Sequence, residues 1–161
     1  MIYYTDGSCN NNGYYPNRGG FGIVEFDLDG NIVYAWSESH ENTTNNREEM
    51  LAILKIMKER GHYIFDGWGF VPKVYTDSSY AYQTFTQWMF NWANNNWLRS
   101  NGSKPENLDI VKEFYDHYQK GYRINLVKVK GHNGVLGNEL ADQLATGKIT
   151  PQEVLNKYGR K

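Results

Sequence analysis

Three strand patterns follow one another before any helix pattern appears, and only then do helix and strand patterns alternate. Residues 2–5 form the first strand, running into Asp6; residues 20–27 and 31–38 form the second and third. These two are joined through Asp29-Gly30, a pair that readily adopts the positive φ of a tight hairpin turn. The first three strands therefore make an antiparallel meander. Residues 46–60 predict a helix, with Asn45 and Glu48 at capping-box spacing. A short strand over 71–76 ends at Asp77, residues 79–92 are helical, and the Asn-, Gly- and Ser-rich stretch from Asn94 to Ser103 is a loop. A further helix follows Ser103-Lys104-Pro105, with Pro105 in its first turn and Gly121 as its stop. Residues 122–129 alternate as a strand and 138–146 form a helix. Thr150-Pro151-Gln152-Glu153 then opens a terminal helix with cap, N1 proline and N3 glutamate in place. Three strands followed by this alternation indicate an α/β fold, a mixed sheet flanked by helices.

At 161 residues the chain has the size of one domain with a proper core. We divide it into a main unit over 1–147 and a C-terminal extension over 148–161 that belongs to the same domain. No apolar run approaches the ~20 residues of a membrane span, and no basic-then-apolar leader precedes the first strand. The lone Cys9 rules out an internal disulfide. Together these lead us to expect a cytoplasmic protein with no membrane contact. The net charge of −1 argues mildly against a nucleic-acid partner. However, Lys120, Arg123, Lys128 and Lys130 gather around one strand, and Lys148, Lys157, Arg160 and Lys161 end the chain.

Four acidic residues stand in short, distinctive contexts. Asp6 lies in Tyr-Thr-Asp-Gly-Ser, Glu49 in Thr-Asn-Asn-Arg-Glu-Glu-Met, and Asp77 in Tyr-Thr-Asp-Ser-Ser. Asp142 follows Lys-Gly-His-Asn within Glu-Leu-Ala-Asp-Gln-Leu-Ala. Two of them end strands, where α/β sheets place ligand sites. Two carboxylates ~4 Å apart repel by ~4 kcal/mol at an effective dielectric of 20, so four in one cleft need a cation. Hard oxygen ligands select Mg²⁺ or Mn²⁺, and no Cys/His cluster competes. Singly, each has an ordinary reading: a turn for Asp6-Gly7, a helix cap for Asp77, surface for Asp142. Their joint occurrence favours a metal site. Between the paired glutamates, Glu48 heads a face continued by Ala52, Lys55 and Glu59, which reads as solvent-facing. Glu49 heads the apolar stripe of Ile53 and Ile56 and is the ligand candidate.

Thr5-Asp6-Gly7-Ser8-Cys9, Thr44-Asn45-Asn46-Arg47-Glu48-Glu49, Thr76-Asp77-Ser78 and Lys130-Gly131-His132 through Asp142 resemble the four motifs of type 1 ribonuclease H, in order and over residues 2–146. The resemblance implies a ribonuclease H-like fold with a five-stranded mixed sheet whose strands one to three are antiparallel. It also implies endonucleolytic, two-metal-ion hydrolysis of the RNA strand of RNA/DNA hybrids, leaving 3′-hydroxyl and 5′-phosphate ends. Asp6, Glu49, Asp77 and Asp142 would bind two Mg²⁺ ions, with Mn²⁺ as a substitute. A lone loop histidine is usually solvated surface, but His132 matches a family position that assists proton transfer or product release.

A hybrid-specific nuclease must sense the 2′-hydroxyls of one strand. Gly7, Ser8, Cys9, Asn12, Asn45 and Ser78 lie beside the acids and suit that task. Thr44 and Asn107 resemble the family's pocket for a DNA phosphate. The bland readings are capping for Thr44 and Asn45 and core burial for Cys9. Gln87-Trp88-Met89-Phe90-Asn91-Trp92, ending near Trp97, resembles the family's substrate-handling protrusion; we expect Trp88 buried and Trp92 partly exposed to substrate. That protrusion is usually basic, yet here it reads Ala93-Asn94-Asn95-Asn96. The turn after Cys9 carries about three residues more than the family pattern, within Tyr14-Tyr15-Pro16-Asn17-Arg18, and Asn42 stands where a basic residue is common. The expected partner is a hybrid duplex bound by a monomer with no obligate protein partner. A non-cleaving hybrid-binding module of the same fold should lack a carboxylate, and none is missing. A resolvase- or integrase-like nuclease would not explain the Thr-Asn-Asn-Arg and Gly-His-Asn segments.

Overall fold

The computed structural model describes residues 1–67, 69–130 and 135–159. The first strand, β1 (Ile2–Cys9), runs three residues beyond its acid, because its pairing with β2 (Arg18–Phe26) continues from Ile2↔Phe26 to Cys9↔Gly19. β2 pairs antiparallel with β3 (Ile32–Glu41), the two joined across the exposed Asp29-Gly30 turn. The meander is thus present as expected. β4 (Lys73–Thr76) lies parallel to β1, and β5 (Asn125–Lys128) parallel to β4, giving one mixed sheet in the order β3-β2-β1-β4-β5.

The parallel pairing sets the position of two acids. Tyr3 pairs with Val74 and Tyr4 with Tyr75, so the same register continued by two residues sets Asp6, inside β1, beside Asp77 at the carboxyl end of β4. Thr5 Oγ1 donates to the Tyr75 carbonyl at 3.0 Å, which holds the strands together immediately before the acids.

Side chains of β2 alternate between the two sheet faces. Phe21 and Ile23 join the larger core with Ile53, Ile56 and Met57 of α1 (Asn45–Arg60) and Val111 and Phe114 of α4 (Leu108–Gln119). On the other face Val24 meets Leu140 and Leu144 of α5 (Leu136–Thr146) and Val154 of α6 (Pro151–Tyr158). Gly22 permits this second layer: a Cβ there would stand 2.4 Å from the Ala141 carbonyl. α6 begins with the full capping box, Thr150 and Glu153 exchanging bonds of 3.0 and 3.1 Å. No described helix is long and apolar enough to cross a membrane.

Four local expectations need correction. α1 is capped by Thr44, whose Oγ1 accepts the Arg47 N–H at 3.1 Å, so Asn45 is the first helical residue and not the cap. Pro105 precedes α4, which starts only at Leu108 after Asn107 takes a left-handed conformation with φ 58°. The helix read over 79–92 has three parts: α2 (Ser79–Gln83), a π-helical turn (Thr84–Trp88) and α3 (Met89–Ala93). Such wide turns leave no periodicity signal in composition. Trp88 is half-buried instead of buried, edge-on to Tyr80 and tilted against Trp92.

Candidate active site

The carboxylates of Asp6, Glu49 and Asp77 each place one oxygen within 4.8 Å of the others. Three separate elements deliver them: the middle of β1, the first turns of α1 and the residue after β4. Gly7 allows the closest of these approaches, since a Cβ on it would lie 2.4 Å from the Glu49 backbone nitrogen. Asp142 comes from α5, on the other side of the sheet. Asp6 shares its pleat with Ser8, whose Oγ donates to the Ala145 carbonyl of α5 at 3.4 Å. Asp142 is half-buried and close enough to act on Asp6 electrostatically, outside the 4.8 Å group.

Burial dominates the electrostatics. It pushes the Asp6 carboxyl up to about 7; hydrogen bonding with Glu49 works against this, and the charges of Asp77 and Asp142 add to it. Glu49, 7 % exposed, is raised well above the usual carboxylate range, first by burial and then by the charges of Asp6 and Asp77. Its Oε2 is buried without a hydrogen-bond partner. A buried carboxylate oxygen with no donor beside two other carboxylates is a site that a hard divalent cation would satisfy.

Other residues singled out in the sequence are held by bonds of their own. Gly7 N–H donates to Asp6 Oδ1 at 3.0 Å. Asn12 Oδ1 accepts the Asn45 N–H at 2.9 Å, and Ser78 caps α2 by accepting from Ala81 N–H at 3.0 Å. Cys9 is half-buried, with its Sγ 3.2 Å from the Asn10 carbonyl and 3.5 Å from that of Thr43. Asn107 Oδ1 accepts from Arg47 Nη1 at 3.3 Å, which brings the Thr44 and Asn107 regions together. Trp92 lines a cavity of about 770 Å³ with Tyr80, Trp88 and Arg99. His132 lies outside the described residues.

Two residues went unrecognised in the sequence. Arg47 grips Asp109 through both guanidinium nitrogens, at 3.0 and 2.7 Å, and so ties α1 to α4. Glu48, expected on a solvent face, is fully buried. His40 Nδ1 lies 2.8 Å from its Oε1, and Thr43 Oγ1 donates to its Oε2 at 2.6 Å. Ala52, on the same face, is buried too, within the core that α1 forms against β1, β2 and α4. Glu48→Ala should destabilise the protein by about 2 kcal/mol, leaving two polar groups unpaired, and lower Tm by roughly 4–8 °C. Glu48→Gln should retain most of that stability. A thermal melt of the alanine variant that matched the parent would remove this role.

The sequence profile of the RNase H family matches residues 1–150. A Ribonuclease H of Rickettsia bellii is 38 % identical, with 99 % of this chain and 96 % of that protein aligned. One from Orientia tsutsugamushi is 36 % identical across 94 % of this chain and 83 % of its own length. Among solved structures, LC9-RNase H1, a type 1 RNase H with the type 2 active-site motif, superposes with TM-score 0.73 at 32 % identity, covering 91 % of this chain and 70 % of that one. The PFV RNase H domain shares the fold, with TM-score 0.72 at 24 % identity over 91 % and 92 % of the two chains. A profile spanning nearly the whole chain, and relatives above 30 % identity along almost all of it, show that this chain belongs to the RNase H family.

Proposed function

We propose that this chain is a ribonuclease H that hydrolyses the RNA strand of RNA/DNA hybrids, with Asp6, Glu49, Asp77 and Asp142 holding two divalent cations, Mg²⁺ by preference. The observation that carries the reading is the three-carboxylate cluster with its unpartnered Glu49 oxygen. Cations held by these four acids would supply an activated water and neutralise charge on the leaving oxygen, chemistry that would give 5′-phosphate and 3′-hydroxyl ends. The protein's own part is to gather the acids and present the hybrid to them. We assign the backbone of Gly7, Ser8 and Cys9 to close approach by the hybrid, and the amides of Asn12 and Asn45 with the Ser78 hydroxyl suit 2′-hydroxyl recognition. Thr44 and Asn107 both accept hydrogen bonds from Arg47, which supports assigning the pair to a phosphate of the DNA strand. Trp92 offers an aromatic face to a deoxyribose. We assign His132, from its motif, to proton transfer or product release. The chain acts as a monomer in this scheme, as one domain that includes the C-terminal extension.

The direct test is cleavage of an end-labelled RNA/DNA hybrid with Mg²⁺, alongside duplex RNA and duplex DNA. Cutting confined to the RNA of the hybrid, and lost with chelator, is the expected result. Tight hybrid binding without cutting in either Mg²⁺ or Mn²⁺ would instead identify a binding module.

A further inference from the structure

Residues 10–17, between β1 and β2, are braced on both sides. The neck is closed by Asn10 N–H to the Arg18 carbonyl at 3.0 Å and by Arg18 N–H to Asn10 Oδ1 at 2.8 Å. Asn12 is tied to the first residue of α1 through Asn45 N–H. Asn17, 8 % exposed, exchanges two bonds with Thr43: Thr43 N–H donates to Asn17 Oδ1 at 2.8 Å, and Asn17 Nδ2 donates to the Thr43 carbonyl at 3.1 Å.

This fixed loop carries two large aromatic rings outward, Tyr14 at 78 % and Tyr15 at 65 % exposure. Rings so exposed contribute little to the core, while the loop that carries them is anchored by the buried Asn17–Thr43 bonds. Asn12, two residues before Tyr14 in the same loop, accepts the Asn45 N–H at the head of α1, two residues before Arg47. The two rings thus stand on the same braced loop as Asn12, which is bonded to Asn45, the two amides assigned to the hybrid.

We propose that Tyr14 and Tyr15 form an additional binding surface for the hybrid, packing their rings against sugars of the minor groove next to the nucleotides read at Asn12 and Asn45. This rests on the hybrid-cleaving reading given above. Charge favours this occupant by a simple argument. The chain carries a net −1 and Ala93-Asn94-Asn95-Asn96 at its protrusion, so part of its nucleic-acid affinity must come from contacts other than ion pairs. Tyrosine supplies an apolar face with a polar tip, and aromatic contacts of this kind are tolerant of sequence.

The experiment measures hybrid affinity by fluorescence anisotropy in an Asp77→Asn background across a salt series. Tyr14→Ala with Tyr15→Ala should weaken binding about tenfold or more and leave the slope of log K against log salt unchanged. The double Phe variant should retain most of the affinity, and the two single alanine variants should each show part of the loss. Affinity within twofold of the parent for the alanine pair would overturn the proposal; so would a loss accompanied by a shallower salt slope. Hybrid cleavage by the unsubstituted chain, assayed in parallel, fails only if the nuclease reading itself is wrong.

Discussion

Asp77→Asn should reduce hybrid cleavage by about 10³-fold or more while raising the melting temperature of the metal-free protein at pH 8 by a few degrees. Both effects come from the same carboxylates. Asp77 contributes an oxygen to the 4.8 Å group, and its charge also pushes the Asp6 and Glu49 carboxyls up. Without a cation, these acids are held close together against their own repulsion. Asp6 has an ordinary value of 3.8 and rises to about 7 in the fold, so between those values the native state binds the proton more tightly than the unfolded chain does. Its contribution to stability is complete below about pH 3.8 and is lost as pH rises through about 7. The metal-free parent should therefore melt higher at pH 5.5 than at pH 8, with Glu49 acting in the same direction. In Asp77→Asn the dependence should flatten. Added Mg²⁺ or Mn²⁺ should reverse the order, because a ligand that binds only the native state stabilises it by mass action. The parent should then gain more than the variant. A variant that keeps its activity, or a parent whose melting is indifferent to divalent cations, would remove the four acids from the mechanism.

The second large effect is expected at Gly7. A methyl group there meets the Glu49 nitrogen at 2.4 Å and the Glu48 carbonyl carbon at 2.6 Å, so the collision is with backbone that no rotamer change can relieve. Gly7→Ala must push the head of α1 away from β1. Overpacking of this kind costs about 1–3 kcal/mol. Displacing a carboxylate by about 1 Å costs on the order of 10²-fold in rate. The rate should thus fall further than the loss of stability alone would suggest, with folded protein still recoverable at 25 °C. Circular dichroism and single-turnover cleavage on the same preparation separate the two; full activity in a folded Gly7→Ala protein would show that α1 has slack at this point.

These residues also show how far the sequence could be read. The meander was legible because Asp29-Gly30 is a local signal, and α6 because its cap, proline and glutamate lie within four residues. Asp6, expected to end the first strand, lies inside β1, whose pairing with β2 runs on to Cys9, whereas Asp77 was legible as an acid at the end of a strand and Glu49 as the head of an apolar stripe. Glu48 was not, since its burial is decided by His40 on β3 and Thr43 before α1, contacts that helical periodicity cannot express. Arg47 was missed for a similar reason: its partner Asp109 is 62 positions away. The π-helical turn at Thr84–Trp88 breaks the very spacing used to judge Trp88, which is why that ring was expected to be more buried than it is.

The parallel register of β1 and β4 also determines where the chain can change length. One residue inserted within Lys73–Thr76 would turn Asp77 to the other side of the pleat, and two would carry it past Asp6. The hairpin tip at Asp27–Asn31 is at the opposite end of the sheet from the acids. It is closed by bonds of its own and carries Leu28 at 89 % exposure. Loop insertions, labels or a fused partner therefore belong at Leu28–Asp29, whereas the stretch leading into Asp77 must keep its length.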